Sequence, residues 1–488
     1  MENILSFESR LARRRCAGLT LALLLFCATL LLLLAPLTKV AARPLAAQEA
    51  RRILVISIDG LDWRYVSPAR PHLRIPTLRR LMAEGVSSSV LTVYPSVTYP
   101  SHTSIVTGAY PERHGIFGND VFDPSVPNNP EWHWFARAIK VETLWDAATR
   151  RRLSTAMISW PVATGAGDYN VPEIIKFGRP LTETLALIKA NARPQKLIEE
   201  IEQADPALYA SVSKDEQDDM RTRFAEYVIE KKRPEVTLIH LLDLDHFQHD
   251  FGPFTPEAER VLEKIDAYVA RILAAAERAG TLSETAVFIV SDHGFQPIDK
   301  LIHPGVLLER AGLLKFREER DAQGRTRRVI AEWRAMPYPS GGSCSIILRD
   351  PGDTDALNRA RAVFNDFTNG MATGFPADGK GSLRLLDAKE IRAQHANPRV
   401  SLMLEAAEGY SFGHNYTGES VTPNPQRGQH GYLPSRYLNT FIAAGAGIKR
   451  RGPLNNSRPV RIIDLGPTMA RVLKLKLGGA QGHALSLK

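Results

Sequence analysis

Cysteine is scarce in this sequence. Two of its three cysteines, Cys16 and Cys27, lie in an apolar stretch near the N-terminus, which leaves Cys344 alone in the remaining chain. Beyond that stretch, an intrachain disulfide, a cysteine-ligated zinc site and a redox-active cysteine pair are therefore excluded. Stability must come from a hydrophobic core, and a chain of 488 residues with 44% hydrophobic side chains is long enough to bury one.

Strong net charge is also missing from most of the chain. The net charge is +9, but residues 1–47 hold six basic and two acidic side chains, so the remainder carries only +5. This mild positive charge would help an anionic substrate to approach. No arginine-rich stripe with interleaved aromatic residues is present, so we expect no nucleic-acid scaffold role.

Charged residues are absent between residues 16 and 37, a leucine-rich run that follows Arg10 and three arginines at positions 13–15. This pattern predicts an export signal. The run also exceeds the length of about 20 residues that crosses a bilayer, so residues 1–47 are either a removed signal peptide or an N-terminal signal anchor. By the positive-inside rule, the rest of the chain is expected in the periplasm or outside the cell.

Apolar runs alternate with longer amphipathic stretches along most of the chain. The runs are continuous and rich in β-branched residues, as in strands buried on both faces, and cover residues 53–58, 155–159, 236–241, 285–290 and 440–444. Helical patterns cover residues 77–84, 255–278 and 463–472. Strands separated by helices predict an α/β fold with a mainly parallel central sheet and helices on both faces.

Residues 300–400 follow a different pattern. A charged run at 317–328 and a turn-rich segment at 337–342 precede a short predicted strand at 344–348 and a helix at 353–369. We interpret this region as an inserted small α+β subdomain. The main domain is then formed by residues 52–300 and 400–480.

Side chains that bind metal ions recur where apolar runs end. Asp59 ends the first run, and the acidic and histidine-rich segment 243–250 follows the run at 236–241. Asp292 and His293 follow the run at 285–290, and His430 lies in a segment with glycines on both sides. Each has an ordinary explanation as a turn, a cap or a loop residue. However, the carboxyl ends of parallel strands share one edge of a sheet, so together they predict a metal centre there.

The ligand types narrow the choice of metal. Aspartate and histidine suit zinc first, with manganese and iron as less favoured candidates. The number of ligands fits two ions better than one. Thr98 lies just before a helix predicted from Pro100 to Thr107, where the helix N-terminus favours anions and an ionised hydroxyl. The alternative for Thr98 is a helix cap.

Read in order, these segments resemble the nucleotide pyrophosphatase/phosphodiesterase family of the alkaline phosphatase superfamily. The resemblance covers roughly residues 52–480, more loosely between 300 and 400. It rests chiefly on the motifs Ile-Ser-Ile-Asp59-Gly, Thr98-Tyr-Pro-Ser-His-Thr-Ser-Ile-Val-Thr-Gly, Asp245 and His249 leading into Phe251-Gly-Pro253, Ser-Asp292-His293-Gly, and His430-Gly-Tyr.

The resemblance implies an alkaline phosphatase-like catalytic domain with two divalent ions, Zn²⁺ first. One ion would be held by Asp59, Asp292 and His293 with the Thr98 oxygen, and the other by Asp245, His249 and His430. Thr98, rather than Ser96 or Ser101, would be the nucleophile and form a covalent intermediate that water hydrolyses, while Asn119 would bind a phosphoryl oxygen. The family has an asparagine where this chain has Ser101, a departure that leaves Thr98 in place.

The expected substrate is a small phosphate ester, either a phosphodiester or a nucleotide pyrophosphate. A phosphomonoesterase is the alternative, for which Lys176 and Arg179 are candidate partners of the additional anionic oxygen. A non-catalytic ligand-binding relative is a further alternative, although no expected ligand is missing. A sulfatase is disfavoured because the chain lacks its C/S-x-P-S-R motif.

Overall fold

A mixed central sheet organises the computed structural model of this protein. The structure describes residues 49–125, 131–174, 180–213, 216–320, 324, 326–370, 379–400, 402–449, 452–454 and 458–487. The run at residues 16–37, for which a signal or an anchor is predicted, lies outside the described residues, as do Lys176 and Arg179. Among the described helices, none combines the length and the apolar character that crossing a membrane requires.

The described strands belong to the central sheet, two smaller sheets and a hairpin. In chain order they are β1 (Arg52–Ile58), β2 (Val86–Leu91), β3 (Thr155–Ile158), β4 (Tyr169–Val171), β5 (Val236–Leu241), β6 (Thr285–Val290), β7 (Gln296–Ile302), β8 (Leu314–Arg320), β9 (Thr326–Trp333), β10 (Ala335–Ser340), β11 (Ser343–Leu348), β12 (Leu383–Leu386), β13 (Leu402–Ala406), β14 (Gly409–Phe412), β15 (Val421–Pro423), β16 (Gly428–Gln429), β17 (Asn439–Gly445), β18 (Gly452–Pro453) and β19 (Val460–Arg461).

The described α-helices vary in length from a single turn to the long α10. In chain order they are α1 (Trp63–Val66), α2 (Pro76–Glu84), α3 (Thr98–Thr107), α4 (Pro111–His114), α5 (Leu144–Arg150), α6 (Leu181–Asn191), α7 (Leu197–Ala204), α8 (Asp218–Tyr227), α9 (Asp243–Phe251), α10 (Pro256–Arg278), α11 (Pro304–Arg310), α12 (Thr354–Asn369), α13 (Ala388–Ala393) and α14 (Leu465–Val472).

The central sheet has the order β18-β2-β17-β6-β1-β5-β3-β4, with β19 beside β2. Strands β6, β1, β5, β3 and β4 are parallel, whereas β17 is antiparallel to both of its neighbours, β2 and β6. The predicted α/β fold with a mainly parallel sheet is confirmed. The apolar run at 440–444 joins this sheet as β17, in a direction that hydrophobicity alone did not specify.

Both faces of the sheet are buried, because alternate residues of a strand point to opposite sides. In β1, Leu54, Ile56 and Ile58 join the core under α10, whereas Ile53 and Val55 join the core that includes residues of α3 and α14. Helix α10 begins where the pattern predicts, after the cap Thr255, whose side chain accepts a hydrogen bond from the Ala258 N–H.

The smaller sheets lie beside the His430 segment. Strands β10, β11, β13 and β12 form an antiparallel sheet in that order, and β7 pairs with β14, β15 and β16. The predicted strand at 344–348 is part of β11, and Asp353 caps α12. The proposed boundaries of the inserted subdomain at residues 300 and 400 stay a prediction.

Candidate metal centre

Asp59 lies at the end of β1 and is 2% exposed. Its Oδ1 is 3.2 Å from Nε2 of His293 and has no hydrogen-bond partner. The next residue, Gly60, has φ +71, and a Cβ there would lie 2.7 Å from the Gln248 amide nitrogen. The sharp turn therefore requires glycine, and the Gly60 N–H donates to Asp292 Oδ1 at 3.1 Å, which links two strand ends.

Asp292 and His293 follow the end of β6 after Ser291, and both are fully buried. Nε2 of His293 is 3.1 Å from Asp292 Oδ2, an oxygen without a hydrogen-bond partner. Because β1 and β6 are adjacent and parallel, their carboxyl ends bring Asp59, Asp292 and His293 together. The structure thus assembles the three protein ligands predicted for one ion.

The segment 243–250, where the sequence left several candidates, is helical. It forms α9, so Asp245 and His249 lie one turn apart, with His249 Nε2 3.5 Å from Asp245 Oδ2. His246 and Asp250 form a separate exposed pair at 3.8 Å. Asp243 instead accepts hydrogen bonds from the backbone N–H groups of residues 217 and 218, so it joins the start of α9 to the start of α8.

His430 follows β16 and lies beside His293 and Asp245. Its ring stacks on that of His293, with centroids 3.7 Å apart and planes 12° apart, and its Nε2 is 3.7 Å from Asp245 Oδ1. Gly431 has φ +90, and a Cβ there would lie 2.0 Å from the Ser340 carbonyl oxygen. Glycine therefore allows the His430 loop to approach the antiparallel sheet closely.

Two groups of side chains have ligand atoms within 4.8 Å of one another: Asp245, His249 and His430 form one, and Asp59, Asp245 and His293 form the other. Asp245 thus lies within reach of both, whereas the sequence assigned it to a single ion. Buried oxygens of Asp59, Asp245 and Asp292 lack hydrogen-bond partners. Such oxygens are costly to bury without a cation, so the residues present fit divalent ions.

The electrostatics of the centre favour a cation for the same reason. Burial, followed by the nearby Asp292 and Asp245 carboxylates, raises the pKa of Asp59 well above its usual value. Burial, followed by neighbouring imidazoles, lowers the pKa of His293 and His430, which keeps both rings neutral. Neutral imidazole is the form that binds metals.

Thr98 is the first residue of α3, and its Oγ1 lies 3.4 Å from Nε2 of His293. The prediction that the helix starts near Pro100 is wrong by two residues, because Pro100 fits inside the first turn, where backbone N–H groups have no intrahelical partners. Thr98 is therefore not the cap, a position that Val97 takes. His102 donates from Nδ1 to the Thr98 carbonyl at 2.8 Å, which holds this turn.

The other two hydroxyls considered as nucleophiles have structural partners. Ser96 is fully buried and donates to the Tyr432 carbonyl, and Ser101 pairs with Thr92 at 3.2 Å. Asn119 accepts a hydrogen bond from the Tyr99 N–H at 2.9 Å through Oδ1. This bond leaves the Asn119 amide hydrogens available to a ligand.

A known protein family matches most of this chain. Residues 53–433 match the family described as type I phosphodiesterase/nucleotide pyrophosphatase. The chain belongs to this family. The resemblance inferred from the motifs is thereby confirmed.

Curated relatives are distant. An uncharacterized pyrophosphatase/phosphodiesterase of Schizosaccharomyces pombe is 25% identical over 50% of this chain and 45% of its own length. Human ectonucleotide pyrophosphatase/phosphodiesterase family member 1 is 25% identical over 51% of this chain and 24% of its own. This chain therefore aligns with less than half the length of either relative. A bis(5'-adenosyl)-triphosphatase of Pongo abelii is 23% identical over 89% of this chain and 81% of its own.

Solved structures of a family member have the same fold. Murine ectonucleotide pyrophosphatase/phosphodiesterase 5 aligns with a TM-score of 0.60 and 20% identity, over 89% of this chain and 97% of that one. An inactive threonine-to-alanine variant of the murine protein in complex with AMP aligns with a TM-score of 0.58 and 19% identity, over 90% and 98% of the two chains. At this identity the likeness shows the fold.

Sequence reasoning missed His240, a buried histidine behind the centre. It lies within β5, and its Nε2 is 3.0 Å from Asp59 Oδ2 while its Nδ1 is 2.7 Å from Glu173 Oε2. Burial lowers its pKa, but the two carboxylates outweigh that effect and raise the pKa to about 10. The sequence feature that could have revealed His240 is that it is the one ionisable residue in a strand whose other residues are apolar or carry a hydroxyl group and are all buried.

Proposed function

We propose that this protein hydrolyses phosphodiester or nucleotide pyrophosphate bonds, with Thr98 as the nucleophile. The observation that carries the proposal is the position of the Thr98 hydroxyl, at the N-terminus of α3 and 3.4 Å from a histidine of the candidate metal centre. Anions and ionised hydroxyls are stabilised at helix N-termini. Membership of the family supports the same activity.

We infer two divalent ions, with Zn²⁺ as the first candidate. Asp59, Asp292 and His293 would hold one ion beside Thr98, and Asp245, His249 and His430 the other, with Asp245 able to reach both. When bound, such ions supply Lewis-acid chemistry that lowers the pKa of a hydroxyl group and stabilises charge on phosphoryl and leaving oxygens.

The protein's own residues account for the order of bond changes. Thr98 gives up its hydroxyl proton to solvent, its oxygen forms a bond to phosphorus, and the bond from phosphorus to the leaving oxygen breaks, so that the leaving group departs with the electron pair and can take a proton from solvent. Asn119 donates to a non-bridging oxygen, whose charge increases in the transition state. Water then hydrolyses the phosphothreonine and restores the Thr98 hydroxyl.

A nucleotide is the substrate class that we propose. The complex of a murine family member with AMP supports it, as does an aromatic wall beside Asn119. Trp132 packs edge-on against Tyr99, with ring centroids 5.2 Å apart, and the adjacent His133 N–H donates to the Asn119 carbonyl at 2.9 Å. Tyr99 is fully buried, so Trp132, which is partly exposed, is the side chain whose face would stack on a base. We also propose that the enzyme acts outside the cytoplasm, a proposal that rests on the pattern of residues 1–47.

The test compares hydrolysis of bis-p-nitrophenyl phosphate, p-nitrophenyl phosphate and a nucleotide p-nitrophenyl ester by wild type and Thr98→Ala. We expect wild type to prefer the diesters, and Thr98→Ala to lose at least about 10³-fold in kcat. Thr103→Ala, five residues further along α3, is the matched control and should keep its activity. A monoester turned over far faster than both diesters would contradict the proposed reaction, and full activity of Thr98→Ala would contradict the proposed nucleophile.

A further inference from the structure

A chain of buried polar side chains lies behind the metal centre, near the carboxyl ends of three parallel strands of the central sheet. Asp59 follows β1, His240 belongs to β5, and Glu173 lies just after β4. His240 is fully buried and Glu173 is 4% exposed. When Asp59 and Glu173 are ionised, both carboxylates can only accept, so the His240 ring then donates from both nitrogens, to Asp59 on one side and to Glu173 on the other.

The surrounding backbone fixes the orientation of the His240 ring. The Ser159 carbonyl oxygen lies 3.2 Å from Nδ1 of His240. Ser159 and Val162 have φ values of 52° and 54°, a left-handed conformation that is strained for a β-branched valine. Between them Trp160 packs edge-on against His102, whose own ring centroid lies 4.3 Å from that of His240. The loop is therefore held against the two imidazoles by tertiary contacts.

The bond from His240 determines how Asp59 can bind an ion. It occupies Oδ2 of Asp59, whereas Oδ1 is buried, has no hydrogen-bond partner and lies 3.2 Å from Nε2 of His293. A carboxylate with one oxygen held in this way presents its other, unpartnered oxygen as the better ligand for a metal. Partners that orient a metal ligand typically change the affinity for the metal when they are removed.

We propose that Glu173 and His240 are positioning residues that hold Asp59 so that it binds its ion through Oδ1 alone. This inference rests on the proposed two-metal function. Neither residue hydrogen-bonds to Asp245, His249 or His430 in the structure, and His240 acts on Asp245 only through its charge, so the larger effect is expected on the ion that Asp59 binds.

The experiment measures Zn²⁺ affinity by competition with a chromophoric chelator. His240→Phe keeps a ring and removes both donors, and Glu173→Gln keeps the size of the side chain and removes its charge. We expect either variant to weaken one of the two ions about 10- to 100-fold and to change the other by less than about threefold. His303→Gln, which alters a buried histidine bonded to Thr422, is the matched control and should leave both affinities unchanged.

The same titration in a His249→Ala background assigns the effect. There the remaining ion depends on Asp59, and His240→Phe should still weaken it. Circular dichroism checks that each variant is folded, and the isosteric Glu173→Gln decides the question if His240→Phe is not. Wild type that binds less than about one ion would contradict the two-metal function. Wild type with two ions, and the same affinities in folded Glu173→Gln, would overturn the positioning role alone.

Discussion

We predict that Glu405, a group away from the metal centre, makes the stability of this protein depend on pH. It lies in β13 and is 2% exposed. Its carboxylate accepts hydrogen bonds from the Tyr94 hydroxyl and the Leu433 N–H, both at 2.9 Å. These partners precede Thr98 and follow His430 in the sequence, so Glu405 joins the two segments that carry them.

Burial raises the pKa of Glu405 from 4.5 to about 7, because the hydrogen bonds and the nearby Arg436 only partly offset the loss of solvation. In the folded protein the carboxyl group keeps its proton up to about pH 7, whereas in the unfolded chain it loses the proton near its ordinary value. The free energy of unfolding should therefore fall as the pH rises through this interval. A shift of this size corresponds to about 3 kcal/mol, all of it lost by about pH 8.

Glu405→Gln removes this dependence, since a neutral amide can still accept from Leu433 and pair with Tyr94. Urea unfolding at pH 5 to 8 with a chelator present should give similar free energies of unfolding at pH 5, and a variant more stable than wild type by up to about 3 kcal/mol at pH 8. The groups of the metal centre are the same in both proteins, so the difference between their free energies of unfolding reports on Glu405 alone. Tyr94→Phe, which removes a donor that favours the carboxylate, should shift the loss of stability to higher pH. Parallel pH curves for wild type and Glu405→Gln would refute the reasoning.

Three further predictions concern the metal centre. Asn119→Ala should lower kcat about 10²- to 10³-fold without changing the metal content, since it removes one hydrogen-bond donor to the transition state. Steady-state kinetics and metal analysis check this, and an unchanged kcat or a loss of metal would contradict it. His249→Ala should reduce bound zinc by about one ion per chain, and mass spectrometry of the metal content would contradict this if two ions remained. Gly431→Ala should lower Tm more than Gly418→Ala. Both glycines have φ near +90°, but only at Gly431 would the new Cβ clash with backbone, at 2.0 Å from the Ser340 carbonyl oxygen. Equal losses of Tm in thermal unfolding would contradict the clash.

Much of the central sheet could be predicted from the sequence. Strands β1, β5 and β6 are continuous apolar runs because both of their faces are covered, and the run at 440–444 stood out for the same reason. Strand β2 was not predicted, since its sequence Val-Ser-Ser-Ser-Val-Leu lacks a continuous apolar run. Pairing with β17 and β19, which no local pattern encodes, makes it a strand.

The candidate metal centre was predictable to a similar extent. The rule that parallel strands end at one edge brought Asp59, Asp292 and His293 together, and the spacing of four between Asp245 and His249 fits one face of a helix. The sequence could not reveal that Asp245 lies between both groups, because that depends on how α9 packs against the β16 segment. His240 was missed because a polar residue inside a strand gives no sign of its partner.

The place of β17 in the sheet bears on when the fold can be completed during synthesis. This strand lies between β2 and β6, yet the ribosome delivers it more than a hundred residues after β6. Until then β2 cannot join the sheet through its main partner, and β6 has one open edge that could pair with another chain. Closure of so long a loop is slow. A nascent chain of this protein is consequently exposed to aggregation until β17 emerges, near the end of synthesis.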